Sequence, residues 1–267
     1  RSRYSHEKEW ASPNYYAVEL SDYGVKAEMT AGLRSGMFRF TYPKSGKAFI
    51  MIDMNHTLWQ NCEWSNLRME NDSTLTGYKL VKGWGPERHV YFTAVFSKKL
   101  KNLRIMQDKK PVIYNTSRFR SCYEAWGKNL MACISFAAEE GEEVIVKTSV
   151  SAVSTAGATL NLQELNGMTF DALREKGVGL WEKELSKYQI EAQPEVKEAF
   201  YTAAYRAALH PFVFQDADGQ FRGLDKNIEK AGGFTNYTVF SLWDTYRALH
   251  PWFNLVHQDV NADIANS

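Results

Sequence analysis

The stretch Asn236-Tyr237-Thr238-Val239-Phe240-Ser241-Leu242-Trp243-Asp244-Thr245-Tyr246-Arg247-Ala248-Leu249-His250-Pro251 crowds aromatic rings, a carboxylate and an arginine into one short helical pattern. Trp243 and Asp244 together supply what a sugar site needs. The flat ring takes the apolar C–H face of a pyranose, and the carboxylate accepts hydrogen bonds from its hydroxyls. Ser241-Leu242-Trp243-Asp244 also satisfies the capping-box pattern, with Ser241 as cap and Asp244 reaching back to its amide. That explains Asp244 without a ligand but gives no reason for Trp243. The motif reads equally as a capped core helix and as a ligand site.

Other groups of residues carry weaker signals. Asp216-Ala217-Asp218-Gly219 resembles the opening of a calcium loop, but the fifth position is Gln220 and the twelfth is Asn227. It reads as an Asp-Gly turn. Arg222 and Asp225 lie in the glycine-bounded loop that follows, where they line a site or form a structural ion pair. Trp64 and Trp84 read as aromatic loop tips. They either grip sugar or seat against a neighbouring domain, and the glycines beside Trp84 favour the second. His210 and His250 show no metal-like spacing and read as helix-terminal residues favoured by the dipole. Sequons occur at Asn55, Asn71, Asn115 and Asn236.

The elements that must position these groups show two textures. From Tyr15 to about Val153 the apolar pattern has period two: Val90, Phe92, Ala94 and Phe96 share one strand face, and Val144–Val150 and Phe38–Tyr42 alternate likewise. Ala48–Ile52 reads as a strand buried on both sides. Turn signals at Asp22-Tyr23-Gly24, Pro43–Gly46 and Glu139-Glu140-Gly141 separate the strands, which implies an antiparallel β-sandwich. After Asn166 the pattern turns helical. One helix starts behind Thr169, a second at Pro194 with Phe200, Ala203, Ala204, Ala207 and Ala208 as its stripe, a third at the opening motif and a fourth near Val260. Tyr205-Arg206-Ala207-Ala208-Leu209-His210-Pro211 returns as Tyr246-Arg247-Ala248-Leu249-His250-Pro251 about forty residues later. Read as two helices each ended by a His-Pro step, this is the spacing of a helical repeat. The division expected is a β-sandwich over 1–160, a helical linker over 161–193, and the first helices of a second domain over 194–267.

Composition narrows the partners. Lys and Arg (32) nearly balance Asp and Glu (31), and no basic run occurs, which argues against nucleic acid. No apolar run approaches a transmembrane length. Cys62, Cys122 and Cys133 permit at most one internal disulfide, with a Cys122–Cys133 bridge across a hairpin one option and unpaired thiols the favoured reading. The chain opens on Arg1 without a methionine and stops inside its fourth helix, as an internal piece of a longer protein would.

The runs Tyr205–Pro211, Phe214–Gly223 and Tyr237–Pro251, with Ser2–Glu7 and Gly24–Ala31, closely resemble the family 92 glycoside hydrolases, bacterial α-mannosidases that degrade glycans, and the resemblance covers essentially the whole chain. It implies a β-sandwich on an (α/α)6 toroid and calcium-assisted hydrolysis of terminal α-mannosides, α-1,2 linkages favoured, with inversion. It further implies mannose-containing glycans as ligands and a periplasmic or cell-surface location. Inversion requires an acid and a base roughly 6.5–9.5 Å apart. The resemblance places that pair, and most calcium ligands, beyond Ser267. It assigns Trp243 as wall and Asp244 as hydroxyl acceptor of the mannose subsite, with Arg222, Asp225 and Arg247 as weaker candidates. On this reading the chain alone does not hydrolyse mannosides. The competing reading, from another class, is a sandwich module that binds glycan through Trp64 and Trp84 without catalysis.

Overall fold

A computed structural model of the chain describes residues 2–83, 85, 87–100, 102–112 and 124–267. The chain divides into two compact units, one ending at Arg174 and the other beginning at Glu175. The expectations for Trp84, Asn115 and Cys122 lie outside the described residues.

In the first unit the period-two stretches form β1 (Glu9–Ser12), β2 (Tyr15–Leu20), β3 (Val25–Ala31), β4 (Ser35–Tyr42), β5 (Ser45–Asp53), β6 (Asn61–Asn71), β7 (Thr74–Lys82), β8 (Arg88–Phe96), β9 (Leu103–Gln107), β10 (Lys110–Pro111), β11 (Glu124–Gly127), β12 (Leu130–Ala138) and β13 (Glu142–Ser151). Among the described residues one sheet has nine strands in the order β1-β2-β3-β4-β13-β8-β7-β6-β11; the other has four, β10-β9-β12-β5. Every pairing in them is antiparallel. Side chains from both sheets, among them Leu67, Leu75, Leu130, Ile134 and Val144, close a shared core. This is the sandwich the alternation implied.

Two strand readings need correction. Ala48 and Ile50 are buried, but Phe49 and Met51 are 39% and 49% exposed, so β5 is buried on one face only. Its four-stranded sheet turns the other face outward, as antiparallel sheets commonly do. Trp64 stands within β6 beside a register shift at Cys62/Trp64, not at a loop tip.

The outer face of the nine-stranded sheet is partly covered by the segment that follows it. Ser154 caps α1 (Thr155–Asn161) by accepting from the Gly157 amide at 3.0 Å. A short 3-10 turn, Leu162–Leu165, leads to α2 (Phe170–Leu185), whose start at Thr169 is fixed by its hydroxyl accepting from the Ala172 amide at 3.2 Å. Met37, Leu165, Phe170 and Leu173 form a second apolar cluster there. Glu164 pins the β3–β4 turn by accepting from the Leu33 amide (2.7 Å), the Arg34 amide (3.0 Å) and the Ser35 hydroxyl (2.7 Å).

The second unit continues with α3 (Pro194–Ala207), which has Pro194 in its first turn as expected. Of the predicted α3 stripe only Ala204 is fully buried. A hairpin of β14 (Gln220–Arg222) and β15 (Ile228–Lys230) follows, then α4 (Leu242–Thr245), α5 (Leu249–Val256) and α6 (Gln258–Asn266). The repeat reading fails at its ends. His210-Pro211 lies in irregular chain beyond α3, whereas His250-Pro251 stands in the first turn of α5, where proline loses no hydrogen bond. One His-Pro step follows a helix and the other starts one, so His250 does not cap a helix C-terminus. Among the described residues no helix is long and apolar enough to cross a membrane.

Candidate functional site

The strap before Trp243 is fixed by backbone pairing. Val213 and Tyr237 form an antiparallel bridge, and Phe214 N–H donates to Asn236 O at 2.8 Å. Asn236 is buried, its amide donating to Gln215 Oε1 (2.6 Å) and its Nδ2 to Phe214 O (2.9 Å). The sequon at Asn236 therefore spells a structural residue. Thr238 and Phe212 exchange further bonds, Thr238 N–H to Phe212 O at 2.8 Å and Phe212 N–H to Thr238 Oγ1 at 2.9 Å.

Phe240 anchors what comes next. Its ring lies 4.9 Å from His210, 4.8 Å from His250 and 6.3 Å from Phe253. Burial pushes the His210 imidazole below its ordinary range, so its neutral form packs as an aromatic ring. Thr245 Oγ1 lies 2.9 Å from His250 Nε2 and donates to Ser241 O at 3.2 Å, closing the single turn of α4.

On that turn Trp243 is 87% exposed and Asp244 is exposed as well. The capping box does not form: Ser241 precedes α4 without a side-chain hydrogen bond, and the Asp244 amide donates to the Ser241 carbonyl at 3.0 Å. Within this chain Asp244 makes no cap bond and Trp243 is exposed. What stands is an indole face and an adjacent carboxylate held outward by a strap that is bonded on its other side. Arg247 is exposed nearby, its guanidinium 5.9 Å from the Tyr246 ring centre.

Two of the weaker candidates bond within the β14–β15 turn. Asp225 accepts from the Asn227 amide (2.9 Å) and Asn227 Nδ2 (2.6 Å), shaping the β14–β15 turn. Arg222 Nη1 donates to Lys226 O across the same turn at 2.9 Å. Asp218 also serves a turn, and hydrogen bonds from the Gln220 amide and side chain hold its carboxyl below the usual range. Among the described residues no group of three or more His, Cys, Asp or Glu side chains is placed to hold a metal ion. Cys62 and Cys133 are free thiols.

One cluster had no signature in the sequence. Buried His257, at the end of α5, has Nε2 within 3.2 Å of Tyr188 Oη and 3.3 Å of Glu184 Oε1, and Nδ1 within 3.4 Å of Lys187 Nζ. Glu184 Oε1 is buried without a hydrogen bond, so its approach to His257 lies off the hydrogen-bonding direction. Burial pushes the His257 imidazole down; Glu184 opposes that shift and Lys187 adds to it. Tyr188 stacks on Trp252 at 5.1 Å. The partners lie about seventy positions apart in the chain, beyond any spacing rule.

Comparison with known proteins agrees with the two textures. The model of the glycosyl hydrolase family 92 N-terminal domain matches residues 1–151, and that of the family's catalytic domain matches 157–267. No curated protein matches the chain. Among solved structures, a family GH92 alpha-mannosidase from Bacteroides thetaiotaomicron is 81% identical over 100% of this chain, with a TM-score of 0.97. The same protein has been solved in complex with mannoimidazole. A second enzyme of that organism, a family GH92 inverting mannosidase, is 22% identical with a TM-score of 0.83 over 99% of this chain, which supports the fold alone. The chain spans about a third of these relatives, 36% of the first.

Proposed function

Because this chain belongs to glycosyl hydrolase family 92, we propose that its full-length protein is an exo-acting α-mannosidase hydrolysing terminal α-mannosides, α-1,2 linkages first, with inversion. The observation that carries this reading is the 81% identity, over the whole of this chain, to an alpha-mannosidase. The part assigned to this chain is recognition. The Trp243 ring would take the C–H face of the terminal mannose, and the Asp244 carboxylate would accept from its hydroxyls. Both groups are exposed and neither is spent on the fold. No residue here is assigned as the acid or the base, which inversion separates by roughly 6.5–9.5 Å to admit water.

A calcium ion would polarise and orient sugar hydroxyls; among the described residues no group of three or more His, Cys, Asp or Glu side chains is placed to hold one. Mannose-containing glycans as substrates, and export to the periplasm or cell surface where such polymers lie, belong to the same proposal.

The test is release of mannose from α-1,2-mannobiose by the full-length protein. Asp244→Ala should lower kcat/KM by about a hundredfold, the upper end of a charged hydrogen bond's worth, while Trp64→Ala leaves it within about twofold. Release that Asp244→Ala leaves unchanged would overturn the role given to Asp244, and no release at all would favour the reading of a glycan-binding sandwich without catalysis.

A further inference from the structure

The outward face of the four-stranded sheet gathers sulfur. Along β12 the core takes Leu130, Ala132 and Ile134, so Met131 and Cys133 point the other way. Ile50 on β5 and Ile105 on β9 are core residues too, which turns Met51 and Met106 to the same outward face. The register then brings the four together. Cys133 is paired with Met51 on β5, and Met131 with Met106 on β9. Direct partners across antiparallel strands hold their Cβ atoms about 5 Å apart, and diagonal ones stay within reach of a long side chain. Met51 is 49% exposed, and Cys133 is a free, half-buried thiol.

This donor set selects its ligand. Packing alone does not call for sulfur, since Leu fills the space of Met at little cost. Yet three of the chain's eight methionines stand around this one thiol. The charged groups beside them suit a harder ion badly. Asp53, opposite Met131, is engaged in accepting from the Asn55 amide at 2.8 Å, and Arg104, opposite Cys133, brings a positive charge. A guanidinium there opposes a dication twice as strongly as a monovalent ion. Thiolate and thioether donors favour soft ions, copper(I) first among the biological ones. We propose that Cys133, Met51 and Met131, with Met106 on the diagonal, form a binding site for one copper(I) ion. The site would stand whether or not the protein cleaves mannosides.

Competition between the full-length protein and bicinchoninate for copper(I), under anaerobic reducing conditions, tests it. The wild type should take up one more copper ion than Cys133→Ser. Met51→Leu and Met131→Leu keep the apolar bulk and should melt with the wild type. Each should nevertheless weaken the binding of that ion about tenfold or more, the scale on which metal sites lose affinity when a group beside the ion is removed. Equal copper uptake by the wild type and Cys133→Ser overturns the site. So does an affinity that both leucine variants leave unchanged, because the thiol would then bind copper unaided by the methionines.

Discussion

Replacing Glu28 by Gln should cost the sandwich unit about 3 kcal/mol. Glu28 is buried in β3, with its side chain only 3% exposed. Its two oxygens accept from Arg39 Nε (2.9 Å), Arg39 Nη2 (3.0 Å), Tyr15 Oη (2.7 Å) and Lys26 Nζ (3.2 Å). Arg39 in turn reaches Asp171 at the start of α2 at 3.1 Å and lies 4.3 Å over the Phe170 ring. Burial alone would push the Glu28 carboxyl up; the bonds from Arg39, Tyr15 and Lys26 outweigh it and hold it at about 2, against 4.5 for a free carboxyl. At ~1.4 kcal/mol per pH unit, that difference favours the folded state by roughly 3 kcal/mol at neutral pH. Removing one partner of a buried pair independently suggests about 3–5 kcal/mol.

Gln keeps the shape and loses the charge, so the loss is electrostatic rather than steric. With a urea slope of ~2 kcal/mol per M, the unfolding midpoint at pH 7 should fall by about 1.5 M with an unchanged slope. Because the folded-state pKa lies below the unfolded one, the wild-type advantage is complete well above pH 4.5 and is lost as pH falls towards about 2. At pH 3.5 roughly two-fifths of it should be gone. A midpoint shift at pH 7 under about 0.3 M, or a penalty that does not shrink on acidification, would refute the reasoning.

Two further predictions follow from close packing and from burial. Gly77→Ala in β7 should destabilise the sandwich by about 2 kcal/mol, because a Cβ there meets the Phe92 ring and lies 2.7 Å from the Asn66 carbonyl oxygen; a higher melting temperature would show that the sheet yields at no cost. Because burial depresses the His257 pKa from 6.5, the unfolded chain binds a proton the folded one does not, and stability should fall as pH drops below about 6.5. His257→Gln should remove up to about 1.4 kcal/mol per pH unit from that slope between pH 6.5 and 5, and urea titrations showing an unaltered slope would contradict the assignment.

What the sequence made legible follows from how local each signal is. The sandwich was readable because period-two alternation is carried by adjacent residues, as in β8 and β13. Thr169 and Pro194 announced their helices because caps act within one turn. The Ala48–Ile52 run misled because Phe49 and Met51 are apolar yet face outward, so residue type did not report burial. The box at Ser241 and the echoed His-Pro step misled because equal letters stand in unequal backbone, in a single turn of helix and at opposite ends of two helices. The Trp243–Asp244 pair was visible as chemistry, but its exposure was not, because one helical pattern serves a buried and an exposed turn alike. His257 with Tyr188 and Glu184 was invisible because tertiary pairing, not spacing, assembles the cluster.

The most direct measurement is calorimetric titration of mannoimidazole into the full-length protein and its Asp244→Asn variant. Asn keeps the volume and one acceptor but removes the charge from the proposed hydroxyl acceptor. The account predicts binding to the wild type and an affinity roughly ten- to a hundredfold weaker in the variant, the range of a charged hydrogen bond. Equal affinity for both would contradict it.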